Sequence, residues 1–311
     1  MGSISPRRLL IALAAPLVAA LALPAVAAAL DDCAKVPVAR TLVSGRGQLE
    51  SVIADDRGHL FFTDSDAGEL LRMDRRSSEP RVLASGIRAP GGLAFLPDGS
   101  LLVGYGDSAA TARSDPPQAG LLRIDPRTGE QQPYASGLTM ANGVTRGPDG
   151  VVYASNDFGP GVDRVLDGAV TLTWASVASS NGLVVDTSGQ WLYVAQTFVP
   201  AAISRVEIAD PSHVETWYSA PAADSSVALD GLTRDAHDRL YAAANLGGQV
   251  WRVQEGGPGC VLTHLPPLGP SAVAFGSAEG KRPRGFGRRN LYVVTFQGDL
   301  IQLKNVRGAN R

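Results

Sequence analysis

Four oxygen-bearing residues of this sequence share one frame: Glu50 in "LESV", Asn142 in "ANGV", Asn181 in "SNGL" and Asp230 in "LDGL". Each precedes a short apolar run, and a Gly or Asp follows eight residues later, at Gly58, Gly150, Gly189 and Asp238. Gly91 fits the frame through Gly99, and Ser271 in "GPSAVAF" is the expected sixth member. Two carboxylates neutralise a divalent cation, and two amide oxygens add coordination without excess charge. An oxygen-only set with no imidazole or thiolate suits Ca²⁺ best, allows Mg²⁺ or Mn²⁺, and is less natural for Zn²⁺. Ca²⁺ takes about six to eight ligands, so four protein donors would leave positions for water and substrate. Taken singly, each residue reads as a turn former, because Asn-Gly and Asp-Gly tolerate positive φ and a polar side chain can cap its own turn. Turn formation does not account for four together, nor for Glu50.

Convergence depends on the elements that carry the frame. "LESVIADDRGHLFFTD" (49–64), "PGGLAFLPDGSLLVGY" (90–105), "MANGVTRGPDGVVYASN" (140–156), "SSNGLVVDTSGQWLYVAQ" (179–196) and "ALDGLTRDAHDRLYAAAN" (228–245) each read as a small or polar residue, an apolar run, a turn and an alternating strand. A second element follows as "LLRMD" (70–74), "LLRID" (121–125), "DRVL" (163–166), "ISRVE" (203–207), "VWRVQ" (250–254) and "LIQLK" (300–304). Six units of about four short strands predict an all-β fold, a six-bladed β-propeller. The N-terminal strand "KVPVARTLV" (35–43) is expected to close the last blade. Closure removes exposed strand edges, and no helical periodicity of useful length is present. A β-sandwich is the alternative, disfavoured by the six-fold recurrence. In a propeller the innermost strands line the central channel, so equivalent positions form a ring at one depth.

The chain has 311 residues, 35 of them Gly and 21 Pro, with 19% charged, which fits a large all-β domain. Residues 1–29 read as an export signal, with Arg7 and Arg8, an uncharged apolar stretch, and small residues at Ala25-Val26-Ala27 or Ala27-Ala28-Ala29. Residues 30–311 would be the propeller. Pro16, Pro24 and the Ala-rich end disfavour an uncleaved anchor, and Pro6 before the arginine pair is a weak match to a twin-arginine signal. Removing the signal takes the net charge from −2 to −4. That balance predicts no nucleic-acid partner, and no membrane association is expected after cleavage. A periplasmic or secreted location makes a disulfide between Cys33 and Cys260, the two cysteines, the expected state.

On these motifs the sequence resembles the senescence marker protein, gluconolactonase and luciferin-regenerating enzyme family of six-bladed propellers, and more distantly diisopropylfluorophosphatase and the paraoxonases. The resemblance implies a metal held by Glu50, Asn142, Asn181 and Asp230. It also implies hydrolysis of lactones or related esters, with organophosphates cleaved by some members. Asp230 would be the general base and Glu50 mainly a metal ligand, with Asn142, Met140 and Asn156 toward the substrate. Met140 stands where sugar-lactone hydrolases often have an arginine, which argues against a polar sugar. Ser51, Gly143 and Gly231 follow three of the ligands where paraoxonases hold a second Ca²⁺, so one metal is expected. Asn245, like Asn156, ends a second strand and is placed deeper in the channel or at a ladder end.

Other features are read as structural. His59, His213, His237 and His264 are expected at the surface. "GYGDSAA" (104–110) is expected to be a loop over the channel mouth with no helix after it, and "GKRPRGFGRRN" (280–290) a solvated insertion. Two alternatives stay open: a non-catalytic propeller that uses the metal for stability and a face for binding, and a metal-free enzyme like strictosidine synthase.

Overall fold

A computed structural model describes residues 28–74, 77–277 and 285–306 of the chain. The expected export signal lies almost wholly outside the described residues, as does the first part of the basic stretch 280–290. Six four-stranded antiparallel sheets form the blades of a β-propeller. Their innermost strands are Leu49–Ala54, Pro90–Phe95, Val144–Arg146, Ser180–Val185, Leu229–Arg234 and Pro270–Phe275. The sixth blade takes its outermost strand from Val38–Val43, which pairs antiparallel with Leu300–Lys304, so the expected closure by the N-terminal strand is present. Among the described residues, helix is limited to one turn at Ala109–Ala112 and a 3-10 turn at Ala222–Asp224. No described helix is long and apolar enough to cross a membrane.

The second strand of each blade is buried on both faces, as in "LFFTD" (60–64), "LYAAA" (240–244) and "LYVVT" (291–295), because neighbouring blades cover it from either side. The core therefore lies between blades. Tyr193 and Ile203 of the fourth blade pack in one cluster with Leu240 and Trp251 of the fifth. Each such large side chain contributes about 1.5–3 kcal/mol when fully buried.

Local structure at the ring position departs from a turn. The innermost ladders shift register at Leu49/Val52, Pro90/Leu93, Ser180/Leu183, Leu229/Leu232 and Pro270/Ala272, so each of these strands bulges where its ring residue sits. Glycine follows Asn142 and Asn181 because the next blade comes too close for a side chain. A Cβ on Gly143 would meet the Asn181 carbonyl, and one on Gly182 would meet Asp230 O and Leu232 N. The left-handed residues stand two positions earlier, at Ala89, Ser179 and Ala228, with φ of 43, 55 and 54°.

The expected disulfide joins Cys33 to Cys260. Around it the terminal segment runs parallel to the outer strand of the fifth blade, with Cys33 N–H donating to Val261 O at 2.8 Å and Val261 N–H to Asp31 O at 2.9 Å. Reduction, or Cys260→Ser, is expected to lower stability by about 2 kcal/mol, the low end of the usual range, because Val38–Val43 stays paired without the bridge. Urea melts with and without reductant measure it. An unchanged midpoint would show that the bridge contributes nothing.

Candidate metal-binding active site

The ring forms as the repeat implies. Glu50, Asn142, Asn181 and Asp230 are 8, 8, 3 and 5% exposed, and all four line a cavity of about 340 Å³ at the channel mouth. The same four also line a smaller cavity of about 170 Å³ on their other side, walled by Val52, Leu93, Val144, Leu183, Leu232 and Val273. The donors thus lie between the mouth and a lower channel whose wall also carries Ser51, Thr145 and Thr233. Ser271 lines neither cavity, as its hydroxyl lies 2.5 Å from Leu49 O and 3.1 Å from Val294 O and latches the last blade to the first.

Hydrogen bonding fixes which way one amide points. Thr197 Oγ1 donates to Leu229 O at 2.9 Å, so toward Asn181 it can only accept, and Asn181 Nδ2 donates to it at 3.0 Å. Asn181 and the Gly231 backbone favour the ionised form of Asp230, and Asn142 favours that of Asp107, each opposing part of the effect of burial.

A second tier of side chains stands above the ring, on the turns that follow the second strands. Asp107 and Asp157 come from the second and third blades, and Phe198, Leu246 and Phe296 from the fourth, fifth and sixth, all lining the same cavity. Asp107 belongs to "GYGDSAA", which does lie over the mouth. A helical turn does follow it, contrary to expectation: Ser108 caps Ala109–Ala112 by accepting from Thr111 N–H at 3.2 Å. One turn satisfies that cap without the long helix a phosphate loop requires.

Met140 lines the cavity as expected, and Asn245 lines it while donating to Pro270 O at 3.1 Å. Asn156 does not line it. Its Oδ1 accepts the Phe158 N–H at 3.1 Å in a local turn, and that turn presents Asp157 to the cavity instead. Of the four histidines none lines the cavity, and His59 is not a surface group: it is half-buried, 2.8 Å from Asp55.

The electrostatics are one-sided. Glu50, Asp107, Asp157 and Asp230 line the cavity, and among the described residues no lysine, arginine or histidine does. Burial first, then repulsion from Asp107, Asp230 and Asp157, pushes the Glu50 carboxyl well above its ordinary range. Burial, then Asp157 and Asp107, does the same to Asp230. Burial and then Asp157 push Asp107 up to about 7, and burial pushes Asp157 up to about 6. A cation beside Asp230 would lower its pKa by favouring the charged form, whereas the chain alone raises it. Asp157 Oδ1 is buried without a hydrogen-bond partner. Buried anions without counter-charge are costly, and a divalent cation among oxygen donors supplies the missing charge. No group of three His, Cys, Asp or Glu side chains suited to a metal occurs among the described residues, so coordination by the ring would need its amides.

The family described as SMP-30/Gluconolactonase/LRE-like region matches residues 49–296 of the chain. The protein belongs to this family. The fold agrees with solved relatives at low identity. A gluconolactonase from Xanthomonas campestris is similar with a TM-score of 0.66 and 19% identity, covering 91% of this chain and 99% of its own. A calcium-binding protein, regucalcin, from Agrobacterium tumefaciens has a TM-score of 0.66 and 18% identity over 89% and 95%. A luciferin-regenerating enzyme has 0.64 and 14% over 86% and 95%. Comparison with curated proteins finds no significant match. Within the SMP-30/gluconolactonase family frame, Asp107 and Asp157 are the cavity carboxylates that the repeat did not reveal. Their one sequence signal is position, two residues past the second strands Leu101–Tyr105 and Val152–Ser155.

Proposed function

We propose that this family member is an exported hydrolase of lactones or related esters that depends on one divalent cation, Ca²⁺ first among the candidates, held by Glu50, Asn142, Asn181 and Asp230. The observation that carries the reading is the ring itself: two carboxylates and two amides on one small-molecule-sized cavity that, among the described residues, holds no cationic side chain. A divalent cation bound there would supply Lewis acidity toward a carbonyl and lower the cost of charge on its oxygen.

The chain's own residues supply the proton chemistry and the positioning. Asp230 takes the proton from the attacking water, with the Asn181 amide and the Gly231 backbone favouring its ionised form. Glu50, which faces three other carboxylates and no basic group, is the charge-neutralising ligand. Asn142, which lines the cavity beside Asp107, is the neutral oxygen ligand. Asp157 Oδ1 is free to accept a proton or a substrate donor. Export is supported by the signal-like residues 1–29 and by the disulfide, which an oxidising compartment preserves.

A panel of aliphatic, aromatic and sugar lactones and simple esters, assayed on chelated protein with and without restored Ca²⁺, is expected to show hydrolysis of at least one lactone that depends on the added ion. Hydrolysis of none, with metal bound by elemental analysis, would assign the ring to stability and the protein to binding.

A further inference from the structure

We propose that the substrate carries an apolar alkyl or aryl group, not a polyol, and that Phe158 and Phe198 determine this preference. The proposal rests on the hydrolase reading for the reacting carbonyl and concerns the part of the substrate that does not react.

The mouth tier is divided by blade. Acidic side chains occupy the second and third blades, and Phe198, Leu246 and Phe296 continue around the fourth to sixth. Phe158 reaches over from the third blade to Phe198, ring centroids 5.0 Å apart and tilted by 34°. Phe158, Phe198 and Leu246 are 44, 60 and 48% exposed. Buried Met140 extends the apolar lining inward. A soluble domain seldom gathers exposed large apolar side chains around one opening without a ligand to cover them. Continuity identifies the occupant, because these residues and the four ring donors line one cavity of about 340 Å³, the size of a small-molecule site.

A polyol is poorly matched to this wall. Thr197 has already committed its hydroxyl to Leu229 O, and Phe158, Phe198, Leu246, Phe296 and Met140 offer no hydrogen-bonding partner to a sugar hydroxyl. Each hydroxyl left unpaired against them loses its bonds to water. Each methylene placed there instead gains about threefold to fivefold in affinity. Arg113, 5.8 Å from the Phe158 ring centroid, stacks at the outer rim and is absent from the cavity lining.

The test compares γ-lactones with alkyl substituents of rising length, a phenyl-substituted lactone and a polyhydroxylated δ-lactone. It measures kcat/KM on the Ca²⁺-loaded protein and, independently of turnover, calorimetric binding of the matching lactams, which keep the ring carbonyl but resist hydrolysis. Affinity and kcat/KM are expected to rise at least tenfold along the alkyl series and to exceed the polyol value. In Phe158→Ser/Phe198→Ser, whose sites are exposed enough to spare the fold, the ratio between the longest and the unsubstituted lactone should collapse toward one. A flat series, or preference for the polyol, overturns the proposal and leaves the hydrolase reading in place. Lactam binding with the chain-length rise but no turnover keeps the proposal and removes the hydrolase reading. Absence of any lactam binding rejects the proposal, as does concentration-dependent dimerisation that the double variant abolishes.

Discussion

Asp230→Asn is expected to lower turnover on any hydrolysed lactone by at least about a hundredfold at saturating metal, the lower range for loss of a general base. The substitution keeps the shape of the side chain and one oxygen toward the cavity. It can also keep the fold, because Asp230 sits in the strand Leu229–Arg234 and its neighbours Leu229 and Leu232 carry the packing. What it removes is the acceptor of the water's proton and one of two ring charges. An empty site would imitate a missing base, so the variant must be compared with the parent at matched metal occupancy. Asn142→Ala provides the contrast: it deletes a neutral oxygen of the cavity lining and leaves both ring carboxylates, so its loss should appear as weaker metal or substrate affinity and be partly recovered at high Ca²⁺. Near-parental turnover by metal-loaded Asp230→Asn would take the base role away from Asp230.

The ring was legible because one repeat frame fixes depth in a propeller: eight residues separate Asn181 from Gly189 just as they separate Glu50 from Gly58. The mouth tier was not, since the second strands that lead to it differ in length, five residues at Leu101–Tyr105, four at Val152–Ser155 and six at Trp191–Gln196. Asp107 lies sixteen residues after Gly91, Asp157 fifteen after Asn142 and Phe198 seventeen after Asn181, with no shared residue type. A one-residue difference of the same origin separates Asn156, spent on the Phe158 N–H, from Asp157, which faces the cavity. The glycine of "SNGL" was legible as special but not in kind. Its requirement comes from Asp230 O and Leu232 N in the next blade, a tertiary contact that no local pattern carries. The closing strand and the disulfide could be read because each follows from a count, one strand too few in the last blade and two cysteines in the chain.

Removing the cation is expected to destabilise the protein more at higher pH. Ca²⁺ at about a hundred times its dissociation constant stabilises by about 2.7 kcal/mol if it binds only the folded state, or a Tm shift of about 5 °C or more in a domain of this size. Without it, Glu50, Asp107, Asp157 and Asp230 have folded-state pKa values raised above their unfolded ones. A raised carboxyl contributes stability that is complete below its unfolded value and is lost as pH climbs through the folded one. For Asp157 and Asp107 that loss runs from the ordinary carboxylate range to about 6 and about 7, and for Glu50 and Asp230 it also begins there. Chelated protein should therefore begin to lose this contribution at about pH 4, with the Asp157 and Asp107 parts gone by about pH 7 and the Glu50 and Asp230 parts still being lost as pH rises. Asp98, Asp125 and Asp235, lowered by hydrogen bonds and arginine neighbours, contribute oppositely elsewhere in the fold, so the absolute Tm is a sum of both trends. The difference between Ca²⁺-loaded and chelated protein cancels those distant groups. It isolates the channel, where protons on four neighbouring carboxylates oppose a cation held by two of them, Glu50 and Asp230. That difference, followed by calorimetry from pH 5 to 8, should widen steadily. A gap that stays constant with pH would place the ion away from these carboxylates, and no gap at any pH would remove the cation from the channel altogether.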